Sequence, residues 1–163
     1  MINTSQLNKL HGIPGTVEFI DGPGGLTAAS ITNERGSALI TLQGAQVLSF
    51  IPEGEPDVLW VSEASHFEPG TAIRGGIPVC WPWFGNHPEN SDLPAHGFAR
   101  TSEWDVLETA ILDDRGTRIV FGLTDSPETR RLWDHTFELR LSVTIGDALN
   151  VSLTTKNCAY PRF

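Results

Sequence analysis

The feature that most constrains this chain is a strict two-residue alternation near its end. From Phe137 to Ile145 every odd-numbered residue is apolar and every even-numbered residue is polar. That period is typical of a β-strand with one buried face. Gly146-Asp147 follows as a two-residue hairpin turn, and the alternation resumes from Leu149 to Leu153. The segment predicts an antiparallel hairpin, and the rest of the chain must provide a core against which it packs.

Turns divide the remaining sequence into short segments. The chain contains 16 Gly and 11 Pro, which favours many turns and few helices. Only residues 126–133 have a helical pattern, with Ser126 as the N-cap. Residues 1–15 are polar and predict a loose lead-in to a single domain over 16–163. The pattern predicts strands over residues 16–20, 26–33, 37–43, 45–51, 58–61, 104–112 and 118–123.

These predicted strands indicate an all-β fold, an antiparallel β-sandwich or a barrel-like stack. The formal net charge of -9 argues against a nucleic-acid or membrane-surface partner, although two or three local arginines can still bind an anionic small molecule. Cys80 and Cys158 form neither a metal pattern nor a disulfide framework, so a reduced, cytoplasmic setting is expected. The first ten residues lack the apolar core of a signal peptide, and no apolar run is long enough to span a bilayer.

One long irregular stretch, residues 63–100, interrupts the strand pattern and is called the insert below. A loop of this length is either disordered or functional. Its composition argues against disorder, since Trp81, Trp83, Phe84 and Phe98 lie within it. Gly75-Gly76 allows close approach of the backbone to another strand or to a ligand. The insert is therefore where we expect a site.

The polar and aromatic residues of the insert each allow two interpretations. The Trp-Pro-Trp sequence at 81–83 offers a rigid aromatic surface for a sugar ring, or plugs an open end of the sandwich. His96, in a tight bend before Gly97, is a site residue or a structural one. Arg74 and Arg100 flank these aromatic residues of the insert and suit a phosphate or carboxylate, or are solvated ion-pair partners. Their combination in one segment favours a site.

The two most distinctive stretches of the sequence are residues 73–85 (IRGGIPVCWPWFG) and 94–100 (PAHGFAR). They resemble the signature stretches of the bacterial hexose-6-phosphate mutarotases, within the wider aldose 1-epimerase superfamily. The similarity extends from about residue 16 to residue 157. Supporting matches are residues 42–50 (LQGAQVLSF), 58–62 (VLWVS) and 133–139 (WDHTFEL).

The resemblance implies a fold and a reaction. The fold of this family is a large antiparallel β-sandwich, the galactose mutarotase-like supersandwich, which agrees with the strand pattern. The implied reaction interconverts the α and β anomers of a hexose 6-phosphate. A carboxylate base removes the C1 hydroxyl proton while a histidine protonates the ring oxygen, and the ring opens and closes again. This is general acid–base chemistry, so no cofactor and no metal are expected.

The resemblance also implies site residues. Arg74 and Arg100 match the family's substrate-binding arginines, expected near the phosphate or the hydroxyls beside it. His96 matches the histidine of the HG turn, which hydrogen-bonds the sugar, and is assigned to the catalytic site. Trp83 and Phe84 are expected to line part of the sugar pocket.

The match departs from the family at the end of the chain. The family's acid and base are expected beyond Phe163, so these 163 residues alone are expected not to catalyse anomer exchange. The alternatives are a non-catalytic fragment that binds carbohydrate or sugar phosphate, and a truncation without function. A metal-dependent β-barrel enzyme is disfavoured because the histidines are too scattered for ligand spacing. They are His11, His66, His87, His96 and His135.

Overall fold

The computed structural model describes residues 3–158 and contains two four-stranded antiparallel sheets. The first sheet follows chain order, with β1 Val17–Asp21, β2 Thr27–Asn33, β3 Gly36–Thr41 and β4 Gln46–Pro52. The second sheet does the same, with β5 Asp105–Ile111, β6 Thr117–Thr124, β7 Phe137–Ile145 and β8 Leu149–Asn157. Helix α1 spans Thr4–His11 and helix α2 spans Pro127–Leu132. Single 3₁₀ turns occur at Pro23–Gly25 and Ala99–Thr101. The predicted antiparallel β-sandwich is confirmed.

The core lies between the two sheets because each contributes one apolar face. Strands β2 and β3 bury Ile31 and Ile40, and strands β6 and β7 bury Phe121 and Leu141 in the same cluster. A polar link joins the sheets at one end of the sandwich. There the Asn33 side-chain amide donates to the Thr117 hydroxyl at 2.9 Å and to the Ile145 carbonyl at 3.0 Å.

The hairpin predicted from the alternation is formed by β7 and β8. The pairing runs from Phe137 opposite Asn157 to Ile145 opposite Leu149. All five apolar side chains of β7 are buried. Directly paired residues of an antiparallel hairpin share a face, so the apolar side chains of β8 continue the core-facing surface. Val151 and Leu153 nevertheless remain 37% and 41% exposed, because β8 is the last strand of its sheet within the described residues.

The N-terminal segment is helical over residues 4–11, so the prediction of a loose lead-in is wrong there. Asn3 caps α1 and forms a capping box with Gln6, which satisfies two N-terminal backbone N–H groups. The Asn8 side chain accepts from the Phe19 N–H at 2.8 Å and donates to the Phe19 carbonyl at 2.7 Å. This amide imitates a neighbouring strand and covers the edge of β1. A short polar helix of this kind has too few apolar residues to show a period of 3.6.

The two other local predictions had opposite outcomes. Helix α2 forms where predicted, and the Ser126 hydroxyl oxygen accepts from the Thr129 N–H at 3.2 Å. Residues 58–61 are not a strand, since only Val61 forms an isolated bridge, to Gly75, and both Val58 and Trp60 are exposed. Neither α1 nor α2, the helices of the described chain, is long and apolar enough to cross a bilayer.

Helix α1 offers a matched pair of leucines for testing its contribution to stability. Leu7 is 4% exposed and packs in the core, whereas Leu10 is 65% exposed. We expect Leu7→Ala to lower the free energy of unfolding by about 2 kcal/mol, through lost burial and a residual cavity. Leu10→Ala should stay within about 0.5 kcal/mol of the parent. Urea unfolding followed by circular dichroism measures both, and equal effects would contradict the packing of α1 on the sandwich.

Candidate active site

Two buried glutamines, Gln43 in the turn between β3 and β4 and Gln46 at the start of β4, hold the first half of the insert. The Gln43 side-chain amide donates to the Thr71 carbonyl at 2.9 Å, and its oxygen accepts from the Gly70 N–H at 2.7 Å. The Gln46 amide donates to the Gly75 carbonyl at 2.7 Å and to the Ile73 carbonyl at 3.3 Å. Irregular backbone cannot satisfy its own polar groups, so these amides replace the missing ladder hydrogen bonds.

Arg74 lies between the two carbonyls that Gln46 binds. Its N–H donates to the Ser65 hydroxyl oxygen at 3.0 Å, and its carbonyl accepts from the Ser62 N–H at 2.9 Å. Its side chain is exposed, and the guanidinium has no hydrogen bond or ion pair with any residue of 3–158. The backbone of Arg74 is therefore fixed, while its charged group stays available to a ligand.

The two glycines after Arg74 are required by close approach of backbone to backbone. Gly75 and Gly76 have φ of +108° and +61°, values that residues with a side chain rarely adopt. A Cβ at Gly76 would overlap the carbonyl oxygen of Val47, and one at Gly75 would overlap that of Trp60. Of the two roles that the sequence allowed for these glycines, the structure shows approach to neighbouring backbone.

The three aromatic residues of the Trp-Pro-Trp-Phe stretch differ in their surroundings. Trp81 packs against the core, with ring centroids 4.4 Å from Phe137 and 5.0 Å from Trp133, so it plugs the sandwich. Trp83 is half-buried and donates its indole N–H to the Pro94 carbonyl at 2.9 Å. Phe84 is 80% exposed. A sugar-binding surface built from this stretch can therefore include Trp83 and Phe84 but not the face of Trp81 that enters the core.

His96 is held in a left-handed turn by the main chain of Gly85. Its φ is +66°, and its N–H donates to the Gly85 carbonyl at 2.7 Å. In return the Gly85 N–H donates to the ring Nδ1 at 3.1 Å. The exposed Phe84 ring packs edge-on against the imidazole, with centroids 4.7 Å apart. These contacts place His96 beside the exposed aromatic residue of the insert.

The residues after His96 join the two signature stretches to each other. Gly97 forms a parallel bridge to Trp81 and has a φ of +70°. A side chain at Gly97 would overlap the Trp81 carbonyl oxygen, to which the Phe98 and Ala99 N–H groups donate at 3.1 and 3.2 Å. Trp81 thus fixes the position of the turn that carries His96.

Arg100 binds main chain rather than projecting into solvent. One terminal nitrogen of its half-buried guanidinium donates to the Ala95 carbonyl at 2.7 Å. Its Nε is buried and has no hydrogen-bond partner among the described residues. The structure therefore brings Phe84 into direct contact with His96 and links Arg100 to the residue before His96, whereas Arg74 is held by a separate set of contacts.

One carboxylate fixes the segment that leads from β4 into the insert. Asp57 accepts from the N–H groups of Leu59 at 2.9 Å and Phe50 at 3.1 Å. Burial raises the pKa of Asp57, but hydrogen bonds from the Ser49 hydroxyl and these two N–H groups outweigh it and hold the pKa below its ordinary value.

Sequence reasoning singled out Arg74, His96, Arg100, Trp83 and Phe84 but missed the residues that position them. Gln43 and Gln46 lie in the stretch 42–50, where two amide side chains flank Gly44 within a run of apolar residues. Amide side chains within an apolar run indicate a structural role, because a buried amide needs hydrogen-bond partners. That pattern was the signal by which these two residues could have been found. Among residues 3–158, no group of three or more His, Cys, Asp or Glu side chains could hold a metal ion.

Comparisons with known proteins agree with this arrangement. The sequence profile described as Aldose 1-epimerase matches residues 27–159. A curated protein of Escherichia coli (strain K12), named "Putative glucose-6-phosphate 1-epimerase", is 46% identical over 116 residues, which cover 71% of this chain and 39% of that protein. Its namesake from Salmonella typhimurium (strain LT2) is 43% identical over 116 residues, with the same coverage of 71% and 39%.

The solved structures include YeaD of Salmonella typhimurium, which is described as a "putative mutarotase". It is 33% identical to this chain, with a TM-score of 0.81, over 92% of this chain and 52% of YeaD. The chain thus spans about 39% of the curated relatives and about half of this structural one.

The hydrogen bonds to Asp57 predict a pH-dependent contribution to stability. A lowered pKa in the folded state means that this contribution is present above the ordinary value of 3.8 and is lost as pH falls through the folded pKa. Asp57→Asn keeps an acceptor oxygen but cannot ionise, so it should be less stable at neutral pH by on the order of 1 kcal/mol or less. Unfolding titrations at several pH values should show this deficit vanish in acid. A constant deficit would contradict a role for the charge.

Proposed function

The chain belongs to the aldose 1-epimerase family, and from that premise we propose that it takes part in interconverting the α and β anomers of a hexose 6-phosphate. The observation that carries the proposal is the state of Arg74, whose backbone is held on both sides while its guanidinium is exposed and unpaired within the described residues. A guanidinium presented in this way is suited to a phosphate group. The relatives' names, which specify glucose 6-phosphate, support the same substrate class.

The reaction requires the protein to bind the sugar and to assist two proton transfers. The C1 hydroxyl loses a proton, the ring oxygen gains one, C1 rotates in the open form, and closure gives the other anomer. We assign the C–H face of the sugar to the exposed rings of Phe84 and Trp83, an oxygen of the sugar to His96, and the phosphate to Arg74. Arg100 is a second proposed contact to the substrate, in addition to its hydrogen bond to Ala95.

We place the catalytic acid and base outside residues 3–158. No hydrogen bond or ion pair joins His96 to a carboxylate within that part of the chain. A second candidate function is sugar-phosphate binding without turnover. The arginine and aromatic residues of the insert favour it, since binding needs only such groups, and they lie within residues 27–159, which the family profile matches.

Anomer exchange on glucose 6-phosphate tests the proposal. We expect the 163-residue chain to bind this sugar without accelerating exchange in two-dimensional NMR exchange spectra of the anomeric protons. A chimera that continues this chain with the remainder of YeaD should accelerate exchange, because acid and base groups each contribute roughly 10²–10⁴-fold. Dialysis of the chimera against EDTA should leave its rate unchanged. A folded chimera that binds glucose 6-phosphate but does not accelerate anomer exchange would favour the binding function. If neither the 163-residue chain nor the chimera binds this sugar, both candidate functions are refuted.

Substitution of Arg74 tests the phosphate assignment. Arg74→Ala should weaken glucose 6-phosphate binding roughly 10- to 100-fold, as expected for a lost hydrogen bond to a charged group, and should leave the weak affinity for glucose unchanged. Arg115→Ala is the matched control, since Arg115 is also an exposed arginine but pairs with Glu34. Calorimetric titration of the parent and of both variants with each sugar measures these affinities. Equal losses in both variants, or for both sugars, would contradict phosphate recognition by Arg74.

A further inference from the structure

The hydrogen bond between Gly85 and His96 determines the protonation pattern of the imidazole. A backbone N–H can only donate, so the His96 Nδ1 that receives the Gly85 N–H at 3.1 Å must present a lone pair. A neutral imidazole carries its proton on one nitrogen and a lone pair on the other. The proton of neutral His96 therefore resides on Nε2. The opposite tautomer would set the Nδ1 proton directly against the Gly85 N–H.

The backbone on both sides of this hydrogen bond is fixed, so the tautomer is built into the fold. The His96 N–H donates back to the Gly85 carbonyl at 2.7 Å, which closes a reciprocal pair. Arg100 holds the Ala95 carbonyl immediately before His96. Phe84 contacts the ring edge-on and limits its rotation. Within residues 3–158 the Nε2 of His96 has no hydrogen-bond partner, so its N–H remains available.

We propose that the main-chain N–H of Gly85 is a positioning group that fixes His96 as an Nε2–H donor toward an oxygen of the bound sugar. The inference rests on the proposed function and refines the role of His96 within it. In this tautomer Nε2 has no lone pair with which to accept a proton, so neutral His96 is not a general base. Giving up its proton would create an imidazolate anion, so neutral His96 is not the acid either. It is a hydrogen-bond donor that orients the sugar.

The chain contains a second histidine in a similar hydrogen-bonding arrangement. His87 Nδ1 accepts from the N–H groups of Glu89 at 3.2 Å and Asn90 at 3.1 Å. Its ring packs edge-on against Trp83, with centroids 4.7 Å apart. The same reasoning gives His87 a proton on Nε2. His87 therefore serves as a control whose tautomer is the same but which has no assigned role in binding.

The tautomer is tested without any ligand, by long-range ¹H–¹⁵N correlation spectra of the 163-residue chain at about pH 8.5, where an ordinary imidazole is neutral. The His96 signals are assigned by their loss in His96→Gln. We expect the cross-peak pattern of a ring protonated on Nε2 alone, in His96 as in His87. A His96 pattern of Nδ1 protonation, or averaged signals from both tautomers, would overturn the proposal.

Two substitutions of His96 test the roles of its two ring nitrogens separately. Gln places an amide N–H near the position of Nε2, whereas Asn places its amide near Nδ1, where its oxygen can still accept from Gly85. We expect His87→Gln to bind glucose 6-phosphate like the parent, and His96→Gln to retain more of the parent's affinity than His96→Asn does. His96→Asn should bind roughly 2- to 10-fold more weakly, the effect of one neutral hydrogen bond.

The outcomes distinguish this inference from the proposed function. Equal weakening in His96→Gln and His96→Asn, or parental affinity in both, would overturn the donor role. If the parent chain does not bind glucose 6-phosphate at all, the proposed function fails, and the spectra still decide whether Gly85 fixes the tautomer.

Discussion

The structure of the site depends on how an irregular segment satisfies its backbone polar groups. Strands satisfy these groups through the hydrogen bonds of their ladders, but the insert forms almost no ladder hydrogen bonds. For residues 68–75 the side-chain amides of Gln43 and Gln46 supply hydrogen bonds instead. Gln46 is fully buried, and it reaches residues 27 and 29 positions later in the chain. Because the same amide binds the carbonyls on both sides of Arg74, the constraint that folds the insert also determines where the charged group lies. A low-dielectric surrounding strengthens such hydrogen bonds and makes their loss costly.

Much of the fold could be predicted because its signals are local. The alternation from Phe137 to Ile145 specifies a strand with one buried face whatever the rest of the chain contributes. Ser126 caps a helix through a hydrogen bond to a residue only three positions away. Helix α1 escaped prediction because its stability comes from Asn8 binding Phe19 and from one buried leucine, neither of which leaves a periodic pattern. Residues 58–61 are apolar enough for a strand, but most of this segment finds no pairing partner.

The composition of the site was predictable, but its geometry was not. The aromatic and basic residues identify the insert, and the family resemblance identifies His96 and Arg74. The sequence does not show that Trp81 enters the core while Phe84, three residues later, is exposed. Nor does it show which nitrogen of His96 carries the proton, since that depends on a main-chain N–H eleven residues earlier. Such features arise from contacts between segments, and only the folded chain brings those segments together.

The order of the strands has a consequence for how the molecule acquires its structure. Within residues 3–158 each sheet consists of four strands in chain order, so every pairing of these strands joins neighbours in sequence. Loop-closure entropy is small for such pairings, and chains rich in local contacts fold faster than chains with distant ones. The two meanders can therefore assemble independently, each from successive hairpins. The contacts with large sequence separation, such as Asn33 with Ile145, form when one sheet docks on the other. The loop-closure cost is thus greatest for that docking event and for the insert between β4 and β5.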